Sequence, residues 1–239
     1  MKVEIWSDYA CPFCYIGKRK FEMALERFEH KEKVETVFRS FELDPNADPN
    51  ANKSTYSMLA SKYGMSIEQA KATTVNVAEQ AAAVGLTFNF ENMVETNTFD
   101  AHRVVQYANE QGKAKEMSER LFKAHFTDNE NVGNRSTLAQ LAAEVGLDAD
   151  QVSEMLATSS YKDDVRNQEE EGNRLGIRGV PYYVFDRKYA VSGAQSPEVF
   201  LDTLNKAWEE KYKAFVQVNE GDNDSLCTDG SCAINEPKS

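Results

Sequence analysis

No run of apolar residues in the sequence nears the length that crosses a bilayer, and Met1-Lys2 leads into a strand pattern rather than a signal peptide. The expected residence is therefore the cytoplasm. Basic residues are in deficit, with 27 lysines and arginines against 39 aspartates and glutamates and a formal net charge of −12. Nucleic acid and anionic membrane surfaces both call for a basic face, so neither is an expected partner. Cysteine is scarce, at four in 239 residues. In a reducing compartment so few thiols do not make a structural disulfide framework, which leaves reactive or metal-binding roles. No internal repeat is visible. With 41% hydrophobic residues over 239 positions, the chain can bury a substantial core, as one large domain or one carrying a sizeable insertion.

What is present is organised around Cys11-Pro12-Phe13-Cys14. Before it, residues 1–8 place Val3 and Ile5 on one face and charged residues on the other, the period-two signature of a strand. After it, Phe21, Leu25 and Phe28 recur at helical spacing. The C-x-x-C therefore opens a helix, where free backbone N–H groups and the positive end of the helix dipole favour a thiolate. Cys11 receives that stabilisation and reads as the attacking thiol. Cys14, three residues on, lies on the same side of the first turn and reads as the resolving one. Pro12 suits the first turn because its missing N–H has no partner there. A C-x-x-C is also half of a zinc site, but such pairs usually sit in a tight turn with a second pair close by. A C-x-x-C joining a strand to an amphipathic helix reads as redox instead.

Downstream, residues 33–43 read as a second strand buried on both sides, with Val37, Phe41 and Leu43 on one face and Val34 and Phe38 on the other. The Asp-Pro and Asn cluster of 44–50 ends it. From Ser54 to about Leu175 the pattern is helical only. A capping box, Ser66 to Gln69, starts a long helix stopped at Gly85, a helix after Asn97-Thr98 ends near Gly112, and another runs to about Phe126. Further helices are expected over 136–145, after Asp148, and over 161–175. A hairpin follows, 181–185 paired with 189–192, and Ser196-Pro197 caps a closing helix through Tyr212. The acidic stretch 219–225 reads as a linker delivering Cys227 and Cys232, whose spacing suits a small closed loop.

The C-P-F-C after the first strand, the helical block, and Gly176-Ile177-Arg178-Gly179-Val180-Pro181 before the hairpin together resemble the DsbA-like branch of the thioredoxin superfamily, most closely its FrnE-type dithiol oxidoreductases. Phe41-Glu42-Leu43-Asp44-Pro45 and the helix start at Asn97 extend the resemblance over nearly the whole chain. It implies an α/β, thioredoxin-like fold interrupted by an all-helical insertion domain. The implied boundaries are 1–45 and 176–215 for the discontinuous thioredoxin-like domain, 46–175 for the insertion, and 216–239 for the tail. It also implies that Pro181 is cis, with its loop beside the C-x-x-C and the Val180 backbone offered to an extended substrate. On sequence alone, Val180-Pro181 is equally a proline at a strand start. Pro12, Phe13, Val180 and Pro181 are the expected substrate contacts.

One departure bears on the chemistry: the residue before Cys14 is Phe13, not the histidine of the strongly oxidising relatives. The expected potential lies within the superfamily span of about −270 to −120 mV, and a cytoplasmic thiol pool then favours net reduction or isomerisation. Expected partners are disulfide-containing proteins or peptides and a thiol electron donor, with no cofactor beyond the redox-active pair and no metal. Cys227 and Cys232 are read as a secondary dithiol exchanging with the first; a four-thiolate zinc site and an incidental pair are the other readings. Asp8 and His102 are candidate tuning residues, and His125 is a second helical histidine able to face the pocket. A lone helical histidine is more often structural and a strand-end acid solvated. His30 is read as a solvated surface residue, and Trp6 with Phe13 as an apolar lip suited to unfolded peptide. Two competing functions are retained. One is a glutathione-dependent isomerase or transferase of the 2-hydroxychromene-2-carboxylate isomerase or kappa type. The other is a zinc- or redox-sensing protein.

Overall fold

The computed structural model describes residues 1–48, 54–93 and 95–212. Strand β1, Lys2–Ser7, leads through a short loop to helix α1, Pro12–Arg27, and then to β2, Glu35–Ser40. β1 and β2 pair in parallel, as the intervening helix requires. The hairpin β3, Tyr182–Phe185, and β4, Tyr189–Ser192, adds to the other side of β1 in antiparallel register, giving the order β2-β1-β3-β4. A helical block leaves the sheet after β2 and returns before β3, and a closing helix follows β4.

That block comprises α2, Thr55–Tyr63; α3, Ile67–Ala82; α4, Phe99–Glu110; α5, Ala114–Lys123; α6, Arg135–Glu144; α7, Ala149–Ala157; and α8, Lys162–Arg174. The last helix of the chain, α9, spans Pro197–Lys211. Local chemistry sets the ends: Ser66 and Gln69 form the reciprocal capping box, and Ser54, Asn134, Asp148 and Ser196 accept from their helices' first N–H groups. Helix α5 does not continue to Phe126 as an α-helix. It ends at Lys123 and passes into a π-helical turn, Ala124–Asp128, closed by Asn129 in the left-handed region at φ 57°. Wide turns of this kind re-aim side chains, and this one carries His125.

One core joins the sheet to the helices. Phe21 of α1 packs on Tyr183 and Phe185 of β3 and on Phe200 of α9. Tyr15 of α1 stacks on Phe122 of α5 at 5.0 Å, and the Tyr9 hydroxyl lies 3.0 Å from Ser118 Oγ. Arg103, fully buried on α4, donates to the carbonyls of Met155, Leu156, Thr158 and Ser160. It thereby satisfies carbonyl groups that the end of α7 leaves open.

Several expectations change. β2 is shorter than 33–43 and is only half-buried: within it Phe38 is covered and Val37 partly so, while Leu43 lies beyond its end and is 44% exposed. Trp6 does not flank the cysteines. It lies on the face of β1 opposite Val3 and Ile5, where Gly172 of α8 lets it in; a Cβ at 172 would stand 2.9 Å from Trp6 Nε1. Glu4, beside it, is buried and ion-paired to Arg39 and Arg187, so the charged face of this strand is not a solvated one. His30 is packed rather than solvated, its ring 4.3 Å from that of Trp208.

Candidate active site

Cys11 is the N-cap of α1, with φ −94° and ψ 112°, and Pro12 is the first helical residue. The proline ring disfavours helical backbone at the residue before it, so the sequence itself places the first cysteine just outside the helix and the second within its first turn. Both are free thiols, 4% and 1% exposed. Cys11 lines a cleft; Cys14 does not reach it. Burial pushes the Cys14 thiol well up, and Cys11 beside it acts in the same direction, against the Ser7 hydroxyl and the Asp8 amide. One sulfur is thus presented and the other withheld beneath it.

The Val180–Pro181 peptide bond is cis. The Val180 carbonyl lies 3.7 Å from Cys11 Sγ, accepting from the thiol. Gly17, three residues after Cys14, makes this approach possible. A Cβ there would stand 2.7 Å from the Tyr183 hydroxyl and 3.1 Å from Pro181 Cγ. The loop is held by Gly193 N–H donating to the Pro181 carbonyl at 2.8 Å and Lys20 donating to the Ala194 carbonyl at 3.1 Å.

Asp8 is not solvated. It is 1% exposed and accepts from the Leu43 amide and the Thr98 hydroxyl, each at 2.7 Å, and from the Ala10 amide at 3.2 Å. Burial pushes its carboxyl up, but His102 and these donors outweigh that and hold it below the usual range. His102 sits behind Asp8, its Nε2 3.8 Å from Oδ1 and its ring 4.9 Å from that of Tyr9, and it does not line the cleft. The position facing the cleft belongs to His125. Only the break from α-helix to π-turn could have revealed that, and the sequence pattern there reads as one helix. Glu42, quoted above only within a motif, joins the same buried group: it pairs with Arg166 and accepts from Asn97, and burial raises its carboxyl.

The cleft measures about 500 Å³, a volume typical of small-ligand sites. Cys11, Pro12, Phe13 and Val180 line it, together with a wall from the helical block that includes Met58, Met65, Val77, Phe90 and Met93. Phe13 stands 39% exposed at its edge. Among the described residues no group of three or more histidine, cysteine or acidic side chains is arranged to hold a metal. No described helix is long and apolar enough to cross a membrane. Cys227 and Cys232 lie outside the described residues.

A cysteine pair opening a helix beside a cis-proline loop, on a sheet of this topology, defines a thiol–disulfide oxidoreductase with a thioredoxin-like α/β fold. The chain belongs to the family of the DSBA-like thioredoxin domain, whose model matches residues 2–205. It is 41% identical to a probable DsbA oxidoreductase, SCO1869, of Streptomyces coelicolor, with a TM-score of 0.85 over 99% of this chain and 100% of that one. The uncharacterized protein YwbO of Bacillus subtilis is 28% identical over 211 residues, 87% of this chain and 98% of YwbO. The cytosolic disulfide reductase DsbM of Pseudomonas aeruginosa, solved with glutathione, shares the fold at 15% identity and a TM-score of 0.62, over 87% of this chain and 100% of that one.

Proposed function

We propose that this protein is a cytoplasmic protein disulfide reductase or isomerase of the FrnE type, working through Cys11 and Cys14. The observation that supports this most directly is the unequal placement of the two sulfurs, one lining a cleft and the other buried behind it. The Cys11 thiolate attacks a substrate disulfide. A bond forms between Cys11 Sγ and one substrate sulfur, and the other substrate sulfur leaves as a thiolate. Cys14 loses its proton and attacks Cys11 Sγ, releasing the second substrate thiolate and leaving a Cys11–Cys14 disulfide. Two electrons have passed to the substrate, and a thiol donor returns them by the reverse exchange.

The buried, raised thiol of Cys14 acts only after Cys11 is engaged, which favours substrate capture before resolution. Pro12, Phe13, Val180 and Pro181 bear on the substrate, and Asp8 with His102 tunes proton transfer beside the pair. The thioredoxin-like portion is taken as 1–45 and 176–215, the insertion as 46–175. Cys227 and Cys232 serve as the secondary dithiol. A glutathione-dependent isomerase needs one thiol-activating residue only, and a second cysteine poised behind the first has no task in that chemistry.

The test is reduction of insulin disulfides by dithiothreitol. Wild type should accelerate turbidity, Cys11→Ser should abolish the acceleration, and Cys14→Ser should accumulate a mixed disulfide with substrate. The double variant Cys227→Ser/Cys232→Ser should change the turnover rate if the tail exchanges. A wild-type rate equal to the chemical background would end the protein-reductase reading.

A further inference from the structure

Tyr183 carries a polar group that the two-cysteine chemistry leaves without a task. It lies on β3, two residues after the cis Val180–Pro181 bond, and is fully buried. Its hydroxyl meets no hydrogen-bond partner among the described residues. A buried phenol in that state costs stability that a phenylalanine of the same shape would not. The ring is packed in place, with Phe21 of α1 at 5.6 Å, Phe200 of α9 at 4.6 Å, and Ile5 of β1 opposite it in register.

Gly17 defines where the hydroxyl sits. A Cβ at 17 would stand 2.7 Å from the oxygen, so the group lies against the backbone of α1 three residues after Cys14, on the side of the helix that Cys14 shares. Among charged groups, Cys14 acts on it most, then Cys11, then Glu22, which is itself paired to Lys18. Burial and these groups push the phenol well up, so at neutral pH it is an intact donor. β1 and the turn after it face the pair with the Ser7 hydroxyl and with Asp8, whose carboxyl stays ionised; α9 brings the apolar ring of Phe200. Resolution requires charge on the buried Cys14 sulfur, where the Ser7 hydroxyl and the Asp8 amide work against burial and Cys11. A further donor is of use there, and a hydroxyl hydrogen rotates to suit its acceptor.

We infer that the Tyr183 hydroxyl is a donor reserved for the resolving step: it turns to the Cys14 sulfur when that sulfur becomes a thiolate and releases it once the disulfide forms. The Cys11–substrate bond breaks as the Cys11–Cys14 bond forms. The proton lost by Cys14 ends on the departing substrate sulfur, and Tyr183 keeps its own. The reduced protein thus carries a small loss of stability that is recovered at the step that needs it. This rests on the dithiol reading of Cys11 and Cys14.

The experiment uses the full-length protein carrying Cys227→Ser/Cys232→Ser, in which Cys11 and Cys14 are the only thiols, with and without Tyr183→Phe. Reduced protein is mixed with dithiobis-nitrobenzoate, and release of thionitrobenzoate is followed by stopped flow. Attack by Cys11 gives a first equivalent at a rate set by reagent concentration; attack by Cys14 gives a second at a rate that is not. Tyr183→Phe should leave the first phase within about twofold and slow the second about tenfold or more at neutral pH, the scale of one hydrogen bond to a charged group. The pH midpoint of the second phase should rise by about one unit. The urea midpoint should equal or exceed that of the parent. A second phase unchanged in rate and pH midpoint would overturn the inference while leaving the dithiol reading intact. Equal slowing of both phases, or a lower urea midpoint, would overturn it too, by placing the effect of the hydroxyl in the proline loop or in the fold. A parent that releases no second equivalent would defeat the dithiol reading itself, and the inference with it.

Discussion

Acid should weaken this fold through His125 before it weakens it through the carboxylates. An unfolded histidine takes its proton near pH 6.5, whereas the buried ring does so only near 4. Between those values the unfolded chain binds more protons than the native one, so stability is full above about pH 6.5 and declines as pH falls towards 4. The interval corresponds to about 3 kcal/mol lost for this group. Urea titrations at pH 7.5 and 5 should show the decline, and His125→Phe should remove most of it. Asp8 adds to the loss at lower pH, because its carboxyl is held below the usual range and must be protonated. An identical dependence in His125→Phe would assign the acid sensitivity to other groups. At this scale the sequence made Cys11 and Cys14 legible, because proline chemistry dictates where the helix begins. It left Asp8 open and did not decide which of His102 and His125 faces the cleft, since that depends on how α4 and the π-turn after α5 pack around Asp8.

Elements meet at two points where a single substitution should be informative. Gly17→Ala places a methyl group 2.7 Å from the Tyr183 hydroxyl and 3.1 Å from Pro181 Cγ, so α1 must move away from the proline loop. A stability loss of about 1–3 kcal/mol is expected from the overpacking, with slower insulin reduction as the loop shifts from Cys11. Unchanged urea midpoint and turnover would show that α1 and the loop separate without consequence. Arg103→Met keeps an apolar stem but removes the donors that meet the carbonyls of residues 155, 156, 158 and 160. The expected loss is about 3 kcal/mol, read from chemical denaturation, because two buried and two partly buried carbonyls lose one shared partner and Asp100 loses its ion pair with Arg103. Helix ends in the block followed from capping residues in the sequence, and the hairpin followed from its turn. The exposure of β2 did not. Apolar residues look alike in sequence whether or not a helix covers them, and only the packing of α5 and α8 against β2 decides how much of it is buried.

Across the whole molecule the net charge of −12 opposes the approach of anions. The rate with glutathione disulfide should therefore rise as salt goes from 0.01 to 0.5 M, where the screening length falls from about 30 Å to about 4–5 Å. The uncharged hydroxyethyl disulfide should show little change. A flat profile for both would mean that the field near Cys11 differs from the overall charge. What the sequence by itself determined was the set of elements, the location of the dithiol at a strand-to-helix junction, and the presence of a proline loop before a hairpin, all of which follow from residue spacing and local backbone preference. Tertiary structure alone decided that Cys11 faces a cleft while Cys14 is sealed beneath it, that Trp6 turns away from the site, and that His125 rather than His102 looks into the opening. Those outcomes depend on which surfaces the helical block covers, and burial by distant segments leaves no periodic trace in the chain that carries it.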